Sequence, residues 1–286
     1  FHMFPLVCAL LFWFGAADAA HRHGVELYQQ HKYNEAIAAL KRSSEAEAPD
    51  SAEYRESMLM IGQSYFMLSQ APKAIPWLEK APSTNERNYM LGYARLQAGD
   101  EAGSVRAFAE LFGVDPESAA AHLLTGQMLI KKEFTERAVD EVNRALAIDP
   151  KIPQAHFLLA EMAIFRGRLD EGIGELRKEL AVDPNYYMAW YRLGDAYTRQ
   201  EHWDLAIPNL QRSIWLNSNF SGPFILLGKC YFKTGDYANA EKFLRGALAL
   251  DPRNYSATYL LGRTLFAMGR TDEAKTMMEK SRTLQQ

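Results

Sequence analysis

The 286-residue chain is 48% hydrophobic and 23% charged, with a formal net charge of −3. That balance excludes the strongly basic surface of a typical nucleic-acid binder. No Pro/Gly/Ser-rich linker, low-complexity tract or long charge run divides it, so one domain is predicted.

Met3 to Ala16 is almost wholly apolar but short of the ~20 residues that span a bilayer. The small-x-small pattern Ala17-Asp18-Ala19 follows it. Together they predict a secretory signal peptide over residues 1–19 and export to the periplasm of a bacterium. An uncleaved anchor, or a first helix buried in a cytoplasmic protein, are the alternatives. With the signal removed, Cys230 is the only thiol left and no intramolecular disulfide can form. Its place two residues after Gly228 suits a small half-buried filler.

Eight helical hairpins are predicted next, at about 20–50, 55–84, 85–118, 119–152, 153–186, 187–220, 221–254 and 255–286. The sixth is the clearest. Trp190, Leu193, Gly194 and Tyr197 share one face of a first helix, and Ala206, Leu210 and Ser213 form the stripe of a second. The turn falls around Glu201-His202-Trp203-Asp204. Gly24, Gly62, Gly92, Gly126, Ala160, Gly194, Gly228 and Gly262 recur at one first-helix position, the last six of them 34 residues apart. Ala36, Ala74, Ser104, Ala138, Gly172, Ala206, Ala240 and Ala274 recur at one second-helix position. Gly costs about 1 kcal/mol in a helix interior relative to Ala, so its recurrence calls for close helix crossing.

The second hairpin ends early, at Pro82-Ser83-Thr84, because Gly62 and Gly92 stand only 30 residues apart. Asp115-Pro116, Asp149-Pro150, Asp183-Pro184 and Asp251-Pro252 close four later hairpins, with Asn217-Ser218 in the equivalent place of another. Pro76 and Pro208, two residues after the Ala position, predict a mild bend near the end of a first turn.

A period of 34 with this small-residue pattern resembles the tetratricopeptide repeat family, over roughly residues 20 to 286. The resemblance implies an all-α, right-handed α-solenoid of about eight hairpins whose first helices line a concave face. It also implies that the residues after the Trp, Gly and Tyr positions point into that groove. After the Trp position stand Leu59, Tyr89, Leu123, Phe157, Tyr191, Ile225 and Tyr259. After the Tyr position stand Tyr28, Phe66, Leu96, Ile130, Ile164, Thr198, Phe232 and Phe266, an apolar floor of the kind that marks binding surfaces. After the Gly position come Val25, Gln63, Tyr93, Gln127, Glu161, Asp195, Lys229 and Arg263. One further position holds Gln29, Met67, Gln97, Lys131, Phe165, Arg199, Lys233 and Ala267. The expected peptide-binding residues are Tyr89, Tyr93, Phe157, Phe165, Tyr191, Arg199, Ile225, Lys229, Phe232, Lys233, Tyr259 and Arg263. Lys229, Lys233, Arg199 and Arg263 are expected to form one basic cluster, with Glu161 and Asp195 an adjoining acidic segment. The Asn and Lys of the family's carboxylate clamp for chaperone tails are missing from the matching positions.

No catalytic constellation, phosphate-binding glycine loop or phased metal set stands out. His122 and His156 share the Trp position and suit helix packing better than a metal pair; His21-Arg22-His23 is a weak amino-terminal metal candidate. The chain is therefore expected to be a non-catalytic interaction scaffold, with no cofactor and no membrane span. Its partner is a protein or peptide, with an acidic or carboxy-terminal end toward Arg263. The alternatives are a regulatory or docking part of a larger enzyme or transport complex, or a cytosolic adaptor. The last helix, with Met277, Met278 and Leu284, is expected to leave an apolar face that supports weak self-association.

Overall fold

The computed structural model describes residues 19–130 and 135–285. The signal segment expected over 1–19 lies outside these residues up to position 18, as does Lys131. Among the described residues there are sixteen helices and no strand.

They are α1 (residues 19–29), α2 (Tyr33–Ser44), α3 (Ala52–Met67), α4 (Ala71–Lys80), α5 (Asn85–Gln97), α6 (Glu101–Phe112), α7 (Ala119–Ile130) and α8 (Thr135–Ile148) in a first compact unit that ends at Ile148. A second unit begins at Asp149 and holds α9 (Ala155–Phe165), α10 (Leu169–Val182), α11 (Tyr187–Arg199), α12 (Trp203–Leu216), α13 (Ser221–Lys233), α14 (Tyr237–Leu250), α15 (Tyr255–Ala267) and α16 (Thr271–Gln285). Odd-numbered helices are the first members of hairpins and even-numbered helices the second.

The recurring small residues are where the two members cross. A Cβ built on Gly194 would lie 2.5 Å from Leu210 Cγ, and one on Gly228 equally close to Leu244 Cγ. Gly24 meets Leu40, Gly62 meets Leu78 and Gly126 meets Val142 in the same way. In each case the partner stands sixteen residues later in the sequence. The fifth hairpin inverts the arrangement. Its first helix carries Ala160, and the small residue opposite is Gly172, where a Cβ would come within 2.6 Å of Ile164 Cγ1. Leu210 and Leu244 are fully buried by these crossings, each worth about 1.5–3 kcal/mol of apolar burial.

Among the described residues, turns inside hairpins follow one rule. The residue seven after the Gly position takes a left-handed conformation, as Gly99, Gly167, Gly235 and Gly269 do. His31, Ser69 and Glu201 adopt it too, at φ of 60°, 57° and 60°. The N–H groups of Gly99 and Asp100 return to the carbonyls of Leu96 and Arg95, closing the end of α5. Between hairpins an Asx turn does the work. The side chains of Asp115, Asp149, Asp183, Asn217 and Asp251 each accept the N–H two residues on, at 2.9–3.3 Å. Asn217 therefore replaces Asp-Pro by the same side-chain device.

Two local expectations shift. The second hairpin opens at Ala52 rather than Arg55, because Ser51 caps the helix by accepting the Tyr54 N–H at 3.0 Å. Pro76 and Pro208 are each the sixth residue of their helix, in the second turn rather than at the end of the first, so each removes one backbone bond. The early stop of the second hairpin is seen in α4, ten residues long against fourteen in α10, α12 and α14.

Candidate peptide-binding surface

In the second unit the first helices pack side by side, α11 on α13 and α13 on α15, while α12, α14 and α16 make no comparable contact with one another. The first helices thus form the tighter, inner face. Ile225, Lys229 and Phe232 follow at helical spacing along α13, with Lys233 one turn beyond Lys229. From α15, the Arg263 guanidinium lies 4.9 Å from the Phe232 ring centroid and 5.9 Å from that of Tyr259. Tyr259 is stacked on Tyr255. Lys229, Lys233 and Arg263 have no carboxylate partner among the described residues, so a cationic, aromatic-backed surface faces outward here.

The adjoining part of this face is neutral. Glu161 is held by Arg192 at 2.6 Å across α9 and α11, and Asp195 by Arg199 at 2.8 Å within α11. Arg199 therefore does not join the expected cluster, and Glu161 and Asp195 do not form an unneutralised acidic segment. Between the two parts lies Tyr191, edge-on to Phe220 at 4.8 Å between ring centroids. Gly222 allows this approach, since a Cβ there would meet both rings at 3.0 Å or less. Burial, and after it the Asp195 charge, push the Tyr191 hydroxyl pKa up, so it stays a neutral hydrogen-bonding group. Phe157 packs edge-on against Tyr186, and Phe165, at the end of α9, is 87% exposed.

The first unit contributes less than its sequence suggests. Tyr89 is half-buried, but Tyr93 is only 2% exposed. Its ring packs edge-on against Phe108 and Tyr89, and its hydroxyl donates to the Met128 carbonyl at 2.7 Å. Tyr93 is a core residue between α5 and α7, not groove floor. The apolar floor is also interrupted, because Leu96, Leu123, Ile164 and Thr198 are buried between helices.

Elsewhere polar groups are engaged structurally. His122 bonds Glu141 at 2.6 Å and His156 bonds Glu175 at 2.7 Å, each bridging the two helices of its own hairpin. His21 is buried against Ser57 and Glu56. Among the described residues no group of three or more His, Cys, Asp or Glu is placed to hold a metal, and no helix is long and apolar enough to cross a membrane. Cys230 is fully buried rather than half-buried, and burial pushes its thiol pKa up, which keeps it protonated and unreactive.

Two tetratricopeptide repeat family models match the sequence, one at residues 21–87, 89–153 and 157–214, the other at 222–283. The chain belongs to the tetratricopeptide repeat family. Solved repeat proteins share its fold. MamA is 24% identical over 56% of this chain and 94% of its own, with a TM-score of 0.53. YrrB, described as a TPR protein with an unusual peptide-binding site, is 23% identical over 63% of this chain and 93% of its own, with a TM-score of 0.55. PilF of Pseudomonas aeruginosa is 18% identical over 70% and 91%, with a TM-score of 0.56. No curated protein matches the sequence. As a tetratricopeptide array the chain is built for protein interaction, and its repeat registers coincide with the hairpins described above.

Proposed function

We propose that the inner face of the second unit binds an extended or helical peptide segment of a partner protein, with apolar anchors at its centre and an acidic or carboxy-terminal end. Apolar side chains of the partner lie against Tyr191, Ile225, Phe232 and Tyr259. Its carboxylates meet Lys229, Lys233 and Arg263. The observation that carries this is the contrast along one face: Arg192 and Arg199 are neutralised by Glu161 and Asp195, whereas the next three cations are not. The peptide-binding site ascribed to YrrB supports this use of a related scaffold.

Aromatic anchors at an interface contribute about 2 kcal/mol or more, while exposed charges act mainly on association rate and salt dependence. Tyr191→Ala should therefore speed dissociation. Lys229→Glu combined with Arg263→Glu should slow association and flatten its salt dependence, measured by surface plasmon resonance against the partner peptide. Unchanged association at low salt in that double variant would overturn the charge assignment. The short apolar run at Met3–Ala16 supports export, and with it a cell-envelope setting for this interaction. Sequencing the mature amino terminus tests that: intact Met3-Phe4 recovered from membrane-free cytosol would overturn it.

A further inference from the structure

Five aromatic rings form an unbroken line across the amino-terminal ends of α9, α11 and α13. Phe157 packs edge-on to Tyr186 at 5.0 Å between centroids, and Tyr191 packs edge-on to Phe220 at 4.8 Å. The two pairs share one construction. Each joins the residue after a Trp position to the residue just before the next first helix, so the pairs stand one repeat apart. Tyr187 lies between them, 6.5 Å from Tyr186 and 5.9 Å from Phe220. The repeat fold does not require these rings. The same two positions hold Leu123 and Ile152 one repeat earlier, and Ile225 and Asn254 one repeat later.

All five rings keep part of their surface in solvent. The hydroxyls of Tyr186, Tyr187 and Tyr191 have no hydrogen-bond partner among the described residues. Burial, and after it the Glu179 charge, push the Tyr186 hydroxyl pKa up, so it stays a neutral donor as Tyr191 does. The flanking cations Arg192 and Arg199 are already paired with Glu161 and Asp195. This stretch of the inner face therefore offers ring surface and hydroxyl donors, and no free charge. A proline-rich segment is its complement. A polyproline II backbone makes no internal hydrogen bonds, so its carbonyls are free acceptors, and proline has no N–H to leave unpaired. The pitch agrees as well. Three residues of polyproline II advance about 9 Å, and neighbouring packed helices stand roughly 8–10 Å apart.

We propose that the partner segment crosses this part of the inner face as a polyproline II helix, with prolines at i and i+3 seated on the two ring pairs and its carbonyls accepting from the tyrosine hydroxyls. This rests on the inner face being the binding surface, and it names the segment that the neutral part of that face selects.

The test titrates the full chain with an uncharged synthetic peptide carrying proline at every third residue, monitored by NMR at the Tyr187 and Tyr191 rings. Saturable shifts at both are expected. The same peptide with alanine for each proline should bind about tenfold or more weakly. Tyr191→Ile combined with Phe220→Asn copies the Ile225–Asn254 pair of the next repeat; it should keep its helical circular dichroism and weaken binding by about tenfold or more. Tyr186→Phe, Tyr187→Phe and Tyr191→Phe together keep the rings and remove the hydroxyls, and should weaken binding by about tenfold. Lys229→Glu with Arg263→Glu should leave binding of the uncharged peptide unchanged. If Asp residues added to the peptide bring no gain while the uncharged form still binds, the charge assignment fails and the polyproline reading stands. Absence of saturable shifts with the uncharged peptide, or equal binding by its alanine counterpart, would overturn the polyproline reading whatever the charge variants do.

Discussion

Gly194→Ala puts one methyl group where the packing leaves no room for it. The added Cβ would stand 2.5 Å from Leu210 Cγ and 2.7 Å from Leu210 Cδ2, with the Ala206 carbonyl at 3.3 Å on the other side. Overpacking of this kind costs about 1–3 kcal/mol, against a gain of about 1 kcal/mol from replacing Gly by Ala in a helix. The single variant should therefore lose between nothing and about 2 kcal/mol. Leu210 is fully buried, so Leu210→Ala alone should cost about 2–5 kcal/mol through the cavity it leaves. In the double variant the new methyl enters that cavity, the clash disappears and only the propensity gain remains. The two changes should then be non-additive in the favourable direction by about 1–3 kcal/mol. Urea unfolding followed by far-UV circular dichroism measures this, fitted as an array of coupled repeats because each hairpin touches only its neighbours. Additivity within about 0.5 kcal/mol would refute close crossing at Gly194 as the reason for its glycine.

Glu201→Gly should stabilise the sixth hairpin by about 1 kcal/mol, because Glu201 holds a left-handed φ of 60° that glycine adopts without steric cost; an unchanged or lowered unfolding midpoint would contradict this. The last two hairpins should loosen in acid. Arg270 bridges Glu241 at 2.7 Å and Glu273 at 2.6 Å. Burial raises the Glu241 pKa, but hydrogen bonds from Arg245 and Arg270 outweigh it, and the Arg270 bond lowers that of Glu273. Carboxyls depressed in the folded state stabilise it above their unfolded pKa, and that contribution is lost as pH falls through the folded value. Amide protection factors in α16, taken against intrinsic exchange at each pH, should accordingly fall below about pH 4, and Arg270→Gln should flatten that pH dependence. Tyr191→Ala should weaken peptide binding by about 2 kcal/mol, roughly thirtyfold, chiefly through dissociation rate in a kinetic binding assay.

The hairpins were legible because close crossing admits few residues, so small residues recur in phase from Gly24 to Gly262. The stops were legible because Asp-Pro leaves the backbone few options. The inner face was only partly so. Tyr93 follows Gly92 at a position that elsewhere carries polar side chains such as Gln127 or Lys229, and the slot pattern assigned it outward. Its ring instead turns onto Phe108 and its hydroxyl reaches the Met128 carbonyl. Arg199 was counted free because the carboxylate one turn back, Asp195, was assigned a separate role. Arg192 lay at no position that the repeat pattern marked, so its ion pair with Glu161 left no sequence signal.

The outward residues of α16 include Asp272, Glu273, Lys275, Glu279, Lys280 and Arg282, all exposed, while Met277, Met278 and Leu284 are half-buried. The weak self-association expected of α16 would therefore join these partly exposed apolar side chains within a charged surround.

The most direct measurement of the central claim is site-specific photo-crosslinking. A photoreactive phenylalanine analogue placed at Ile225, on the inner face, and another at Ala249, on α14 among the second helices, would be compared in cells that contain the natural partner. The account predicts a crosslink from position 225, mapped by mass spectrometry to a partner segment with apolar residues beside Asp, Glu or a free carboxy terminus, and lost when Lys229→Glu and Arg263→Glu are added. A partner segment that lacks any carboxylate near the crosslink, or a crosslink at 225 that survives the charge reversal undiminished, would contradict it.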